Sequence, residues 1–108
     1  MKVGDMMGRE LTLVLNERRL DTDSAPLFHN ELLRTIDGAT SLVVDMASVV
    51  YISSAGLRVL LAAQHAMGEG STLTLRNVNE EVMHTLDITG FIDIFTVEPA
   101  GHEGKGLL

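Results

Sequence analysis

The stretch Asp45-Met-Ala-Ser-Val-Val-Tyr-Ile-Ser-Ser-Ala-Gly-Leu-Arg-Val-Leu-Leu61 decides the fold. It follows directly on Ser41-Leu-Val-Val, a short continuous apolar run that predicts a strand covered on both faces and ending at Asp45. A partly apolar linker, Met46 to Ile52, then leads to Ser53-Ser54-Ala55-Gly56, where a helix starts. Ala55, Val59, Leu60, Ala62, Ala63, Ala66 and Met67 wrap far around that helix, which predicts a largely buried segment from Ser53 or Ser54 to Met67. Gly68 and Gly70 close it, and Arg58, His65 and Glu69 mark its solvent side. Small residues at the start let the backbone approach its neighbours closely. They also leave the first helical N–H groups open toward an oxygen ligand.

Working outward, Glu10-Leu-Thr-Leu-Val-Leu15 alternates and then runs apolar, as a strand does. Gly8-Arg9 suits a hairpin turn, with residues 1–8 as a weak edge strand or disordered. Asp21-Thr22-Asp23-Ser24 reads as a loop closing on a helix cap at Ser24, with Pro26 in the first turn. Ala25, Phe28, Leu32 and Ile36 keep helical spacing up to the stop at Gly38. Thr72 to Arg76 alternates as a strand, Asn79 caps a third helix to about Thr89 with Gly90 beyond it, and Ile92 to Val97 predicts a final strand. The Gly-rich residues 98–108 read as a frayed tail. Strands alternating with helices predict an α/β fold with right-handed crossovers, and both strand-to-helix junctions, at Asp21–Ser24 and Asp45–Ser54, open on one edge of the sheet.

Composition narrows the function classes. A chain of 108 residues holds one domain, here residues 1–108, with 45% hydrophobic and 21% charged residues, ordinary for a soluble globular fold. A net charge of −7, with Arg18-Arg19 the only adjacent basic pair, argues against nucleic acid and against an anionic membrane surface. No apolar run suits membrane insertion, and the N-terminal residues lack a signal peptide's apolar core, so a cytoplasmic location is expected. The absence of cysteine rules out disulfides and thiolate zinc sites. His29, His65, His84 and His102 are scattered without ligand spacing, so no metal and no cofactor is expected. The nucleophile elbow Gly-x-Ser-x-Gly is missing around Ser54, and Gly68-Glu-Gly70 lacks the Lys and spacing of a phosphate loop. Catalysis is therefore not expected.

The block from Asp45 to Leu61 resembles the signature of the STAS family, the bacterial anti-sigma-factor antagonists and related sulphate-transporter domains. The similarity covers roughly Leu11 to Val97 and includes Leu20-Asp21 and Leu86-Asp-Ile-Thr-Gly-Phe91. It implies a mixed β-sheet of four to five strands with three to four helices. It also implies a partner-switching cycle: the antagonist binds an anti-sigma factor with serine kinase activity, is released when that kinase phosphorylates it, and is reset by a PP2C-type phosphatase. Aligned on Gly56-Leu57, the phosphorylated residue falls on Ser54, and the partner-binding set becomes Asp21, Thr22, Asp23, Ser53, Ser54, Ala55, Gly56 and Arg58. Arg18-Arg19 replace the family's Gly-Glu, Arg58 stands where some members have Gly, and Pro99 to Leu108 holds no convincing counterpart of the usual C-terminal helix.

Plainer roles stand beside these. Ser53 or Ser54 can act as a helix cap, Asp45 as a strand-end residue bonding its loop, Asp21 and Asp23 as caps of the first helix, and Arg58 as a solvated side chain. A STAS accessory subunit of a membrane transport complex, unmodified, is the alternative function, and a nucleotide-binding sensor is a third. Whether the chain forms a homodimer stays open.

Overall fold

The computed structural model describes residues 2–7 and 10–101. The elements run β1 (Lys2–Met7), β2 (Glu10–Val14), β3 (Arg19–Leu20), α1 (Ala25–Thr35), β4 (Ser41–Asp45), β5 (Tyr51–Ile52), α2 (Ser54–Met67), β6 (Thr72–Val78), α3 (Glu80–Thr89), a 3-10 turn (Phe91–Asp93) and β7 (Thr96–Pro99). Alternation in β2 and β6 points every second residue to one side, and the parallel registers align those residues in rows. Leu11, Leu42 and Leu73 form one row; Leu13, Val44 and Leu75 form the next. All six are buried and share one core with Phe28 and Leu32 of α1, Leu57 and Leu60 of α2, and Val82 and Leu86 of α3.

The main sheet has the order β1-β2-β4-β6-β7, with β2, β4, β6 and β7 parallel and β1 antiparallel to β2 at one edge. This is the mixed α/β architecture expected, with five strands in the sheet and three α-helices among the described residues. The turn expected at Gly8-Arg9 and residues 102–108 of the expected tail lie outside the described residues, whereas Glu98 and Pro99, expected to fray with that tail, end β7, and the Ala100 N–H donates to the Val78 carbonyl at 2.7 Å.

The order decides how the two faces of β4 are covered. Each crossover steps the same way along the sheet, so right-handed connections place α1, α2 and α3 on a single face. β4 is therefore not helix-covered on both sides. Val43 points to the opposite face, between half-buried Thr12 and Thr74; it is buried, as a strand covered on both faces requires, but does not join the core of Leu42 and Val44. None of the described helices is long and apolar enough to cross a membrane.

The helices follow their sequence signals. α3 starts at Asn79, whose side chain accepts a hydrogen bond from the Val82 N–H at 2.8 Å, and stops at Gly90 in the left-handed region (φ 82°). In α2 the buried side is set by Gly56, Leu57, Val59, Leu60 and Ala63, whereas Ala66, expected inside, is exposed on the last turn. The final strand also differs from expectation. Beyond Gly90 the chain makes a 3-10 turn at Phe91–Asp93, with the Asp93 N–H bonded to the Gly90 carbonyl. Extended pairing begins only at Thr96, after Phe95 has turned inward to 5.9 Å from the Phe91 ring.

Candidate functional site

Two short strands build the site. β3 and β5 pair in parallel, Arg19 opposite Tyr51 and Leu20 opposite Ile52, as a separate small sheet. Leu20 and Ile52 are buried in the core, which anchors both strands, while Arg19 and Tyr51 face out. The Arg18 carbonyl accepts from the Val50 N–H at 2.7 Å and the Tyr51 N–H at 3.3 Å. Two residues further, the Ser53 N–H donates to the Leu20 carbonyl at 2.9 Å. The loop opening α1 and the start of α2 are thus tied together at Leu20, across the edge where the sequence places both junctions.

Gly56 makes that approach achievable. A Cβ at this position would stand 2.7 Å from the Leu20 carbonyl oxygen and 2.9 Å from Ile52 Cγ1. Only a residue without a side chain lets the first turn of α2 lie on β3.

Ser54 is the first helical residue of α2 and is exposed; Ser53 precedes it in an extended conformation. The Ser53 side chain makes no cap bond to the helix, and its hydroxyl instead lies 3.4 Å from the Leu20 carbonyl. The capping role weighed for this serine pair therefore has no hydrogen bond behind it. Ala55 is half-buried and Gly56 buried, and Arg58, one turn beyond Ser54, is exposed with no ion pair among the described residues.

The Asp21 loop is organised by its first residue. Asp21 Oδ1 accepts from the N–H groups of Asp23 and Ser24, each at 3.2 Å, and Oδ2 pairs with Arg19 Nε at 3.2 Å. These contacts hold the Asp21 carboxyl below the usual carboxylate range, the Ser24 N–H first among them; partial desolvation opposes the shift and Arg19 adds to it. Ser24 does not cap α1 with its side chain as expected. Its hydroxyl faces back into the loop instead, donating to the Arg19 carbonyl at 3.0 Å and accepting from the Asp21 N–H at 3.0 Å. Thr22 and Asp23 stay exposed at the loop tip. Asp45 has the bonding role weighed for it: Oδ1 accepts from the Ala47 N–H at 3.0 Å and from Asn77 Nδ2 at 3.1 Å.

The structure thus brings Asp21, Ser53, Ser54, Ala55 and Gly56 around Leu20, with Arg58 further along the same helix and Thr22 and Asp23 on the adjoining tip. Reading the residues alone missed the pair beside them: the Arg19 guanidinium lies 4.3 Å from the Tyr51 ring centroid while its Nε holds Asp21. The run Val50-Tyr51-Ile52, β-branched and aromatic, is the strand signal that points to it.

The profile of the STAS domain family matches residues 9–104. The chain belongs to the STAS domain family. Among individual proteins, it is 28% identical over 86 residues to the anti-sigma-B factor antagonist of Bacillus subtilis (strain 168), covering 79% of each chain. The fold matches an anti-sigma-factor antagonist (STAS) domain protein from Planctomyces limnophilus with a TM-score of 0.81 at 14% identity, over 96% of this chain and 95% of that one. It also matches the Bacillus cell fate determinant SpoIIAA in the phosphorylated form, with a TM-score of 0.67 at 11% identity, over 97% and 96% of the two chains.

Proposed function

We propose that this protein is an anti-sigma-factor antagonist of a partner-switching pathway, in the cytoplasm, and that Ser54 is its phosphoacceptor. The observation that carries the proposal is the exposed position of Ser54 at the first turn of α2, tied through Leu20 to the Asp21 loop. The likeness to an anti-sigma-B factor antagonist supports the partner, and the likeness to a protein solved in a phosphorylated form supports the modification. In this reading the unmodified chain docks an anti-sigma factor with serine kinase activity through the surface around Asp21, Thr22, Asp23 and Ser54. Phosphate transfer to Ser54 Oγ releases it, and a PP2C-type phosphatase restores the hydroxyl.

The electrostatics fit a switch that works by docking. A phosphoserine carries about −1.5 to −2 charges at neutral pH. On the free domain, the α2 N-terminus favours that charge by about 0.3–1 kcal/mol. Beneath a partner, a dianion without matched donors costs several kcal/mol, and about 2.7 kcal/mol already lowers affinity a hundredfold.

The test is calorimetric titration of the purified anti-sigma factors encoded in the same genome into wild-type chain, Ser54→Ala and Ser54→Asp, alongside intact-mass analysis after incubation with ATP. One anti-sigma factor should bind wild type and Ser54→Ala alike, bind Ser54→Asp at least about tenfold more weakly, and add one phosphate to wild type alone. Equal binding by both variants with no phosphate transfer refutes the assignment, and leaves an unmodified STAS subunit of a larger complex.

A further inference from the structure

We infer that the partner's footprint extends past Ser54 into a second groove, between β5 and α3, and that this groove takes a basic, apolar-tipped segment of the anti-sigma factor. The inference rests on the docking role proposed above. The groove, about 460 Å³, is floored by Ile52 and Val82 and walled by Val50 and Tyr51 on one side and, on α3, by Glu80 and Glu81 with His84 one turn further on. Its two sides differ in chemistry. Val50 and Tyr51 are 36% and 41% exposed, Tyr51 as the first residue of β5 and Val50 immediately before it. Glu80 and Glu81 are exposed, sit in the first turn of α3 and make no ion pair among the described residues.

Three observations make the groove an extension of the site. Tyr51 is the ring on which Arg19 lies, and Arg19 holds Asp21, so the groove wall and the Asp21 loop share one contact chain. The wall is also rigid, because the Val50 and Tyr51 N–H groups are both spent on the Arg18 carbonyl. Asn79 fixes the opposite wall to the same strand region: its Nδ2 donates to the Val49 carbonyl at 2.9 Å while its Oδ1 caps α3. A preformed groove loses little freedom on binding. The chemistry of its occupant follows by complementarity: an apolar side chain for the Val50–Tyr51 wall and Lys or Arg for the two unpaired carboxylates.

Calorimetric titration decides it, using the anti-sigma factor that binds wild type, with Ser54→Asp measured alongside, at low and at high salt. Wild type is compared with Val50→Ser, with Glu80→Gln/Glu81→Gln, whose melting curve monitors the fold, and with Glu80→Lys/Glu81→Lys. The lysine pair should weaken low-salt binding by about tenfold or more, the glutamine pair by about threefold, both with a flatter salt dependence. Affinities within about twofold of wild type for all three, with Ser54→Asp still defective, overturn the groove and leave the proposed function standing. If Ser54→Asp also binds normally and wild type takes up no phosphate, the functional reading itself has failed. A wild-type dimer in sedimentation that the lysine pair dissociates, with partner affinity unmoved, assigns the groove to a second copy and refutes the inference.

Discussion

Gly56→Ala isolates the contact on which the site geometry rests. The added Cβ would stand 2.7 Å from the Leu20 carbonyl oxygen, 2.9 Å from Ile52 Cγ1 and 3.0 Å from Leu20 Cβ. Carbon-to-oxygen contacts normally settle near about 3.3–3.6 Å, so the start of α2 or β3 must retreat by roughly half an ångström. Neither yields easily, since Leu20, Ile52 and Leu57 are all fully buried. Two effects oppose each other. Alanine favours the helix by about 1 kcal/mol over glycine. Overpacking against a backbone atom costs about 1–3 kcal/mol, and the displaced Ser53 N–H weakens its bond to Leu20, worth about 1 kcal/mol. The clash wins, with a net loss of about 1–3 kcal/mol. Urea unfolding followed by far-UV circular dichroism measures this as a lower midpoint at unchanged slope. A Gly56→Ala variant as stable as wild type would show that α2 is not seated on β3, and the tie between Ser54 and the Asp21 loop would go with it.

Two further outcomes follow from single residues. Asn79→Ala removes both the α3 cap and the bond to Val49, and should cost about 2 kcal/mol; a loss below about 0.5 kcal/mol in the same urea assay contradicts the capping geometry. Asp21 has a folded-state pKa below its unfolded value, so its contribution is present above the unfolded value and is lost as pH falls through the lowered one. Wild type should therefore shed more stability than Asp21→Asn as pH drops below the ordinary value of 3.8, and parallel acid titrations of the two by circular dichroism would refute this.

What the residues disclose in advance depends on how local the signal is. The repeat Ala25, Phe28, Leu32, Ile36 and the bracket Asn79 to Gly90 specify their helices because periodicity and caps act within a few residues. The start of α2 at Ser53–Gly56 is legible from the apolar periodicity that follows it, without a cap bond, and its nearness to the Asp21 loop from both strand-to-helix junctions opening on one edge of the sheet. β3 and β5 were not, since each is only two residues long and each is held by a partner more than thirty positions away, Arg19 by Tyr51 and Leu20 by Ile52. Ile92-Asp-Ile-Phe95 misled because it alternates like a strand, whereas the left-handed Gly90 turns the chain into a 3-10 turn first. The single helical face is a property of strand order, which no individual segment carries. The Arg19–Tyr51 contact depends on that same distant pairing, of which the run Val50-Tyr51-Ile52 signals only one strand.

Magnitudes also decide how a charge on Ser54 would act in the proposed cycle. Moving α2 in response would expose Leu57 and Leu60, both fully buried, at about 1.5–3 kcal/mol each. Against this, the helix N-terminus returns about 0.3–1 kcal/mol for a nearby anion, and an exposed pairing with Arg58 at most about 1 kcal/mol. Both of those gains are available without any shift of the helix, since Ser54 and Arg58 already lie one turn apart on its surface. No net force is left to drag the helix off the sheet, so in the proposed cycle the domain would carry the phosphate on an unaltered scaffold. The signal must then be read at the docking surface, where a partner has to desolvate the dianion and has no such gains to set against it.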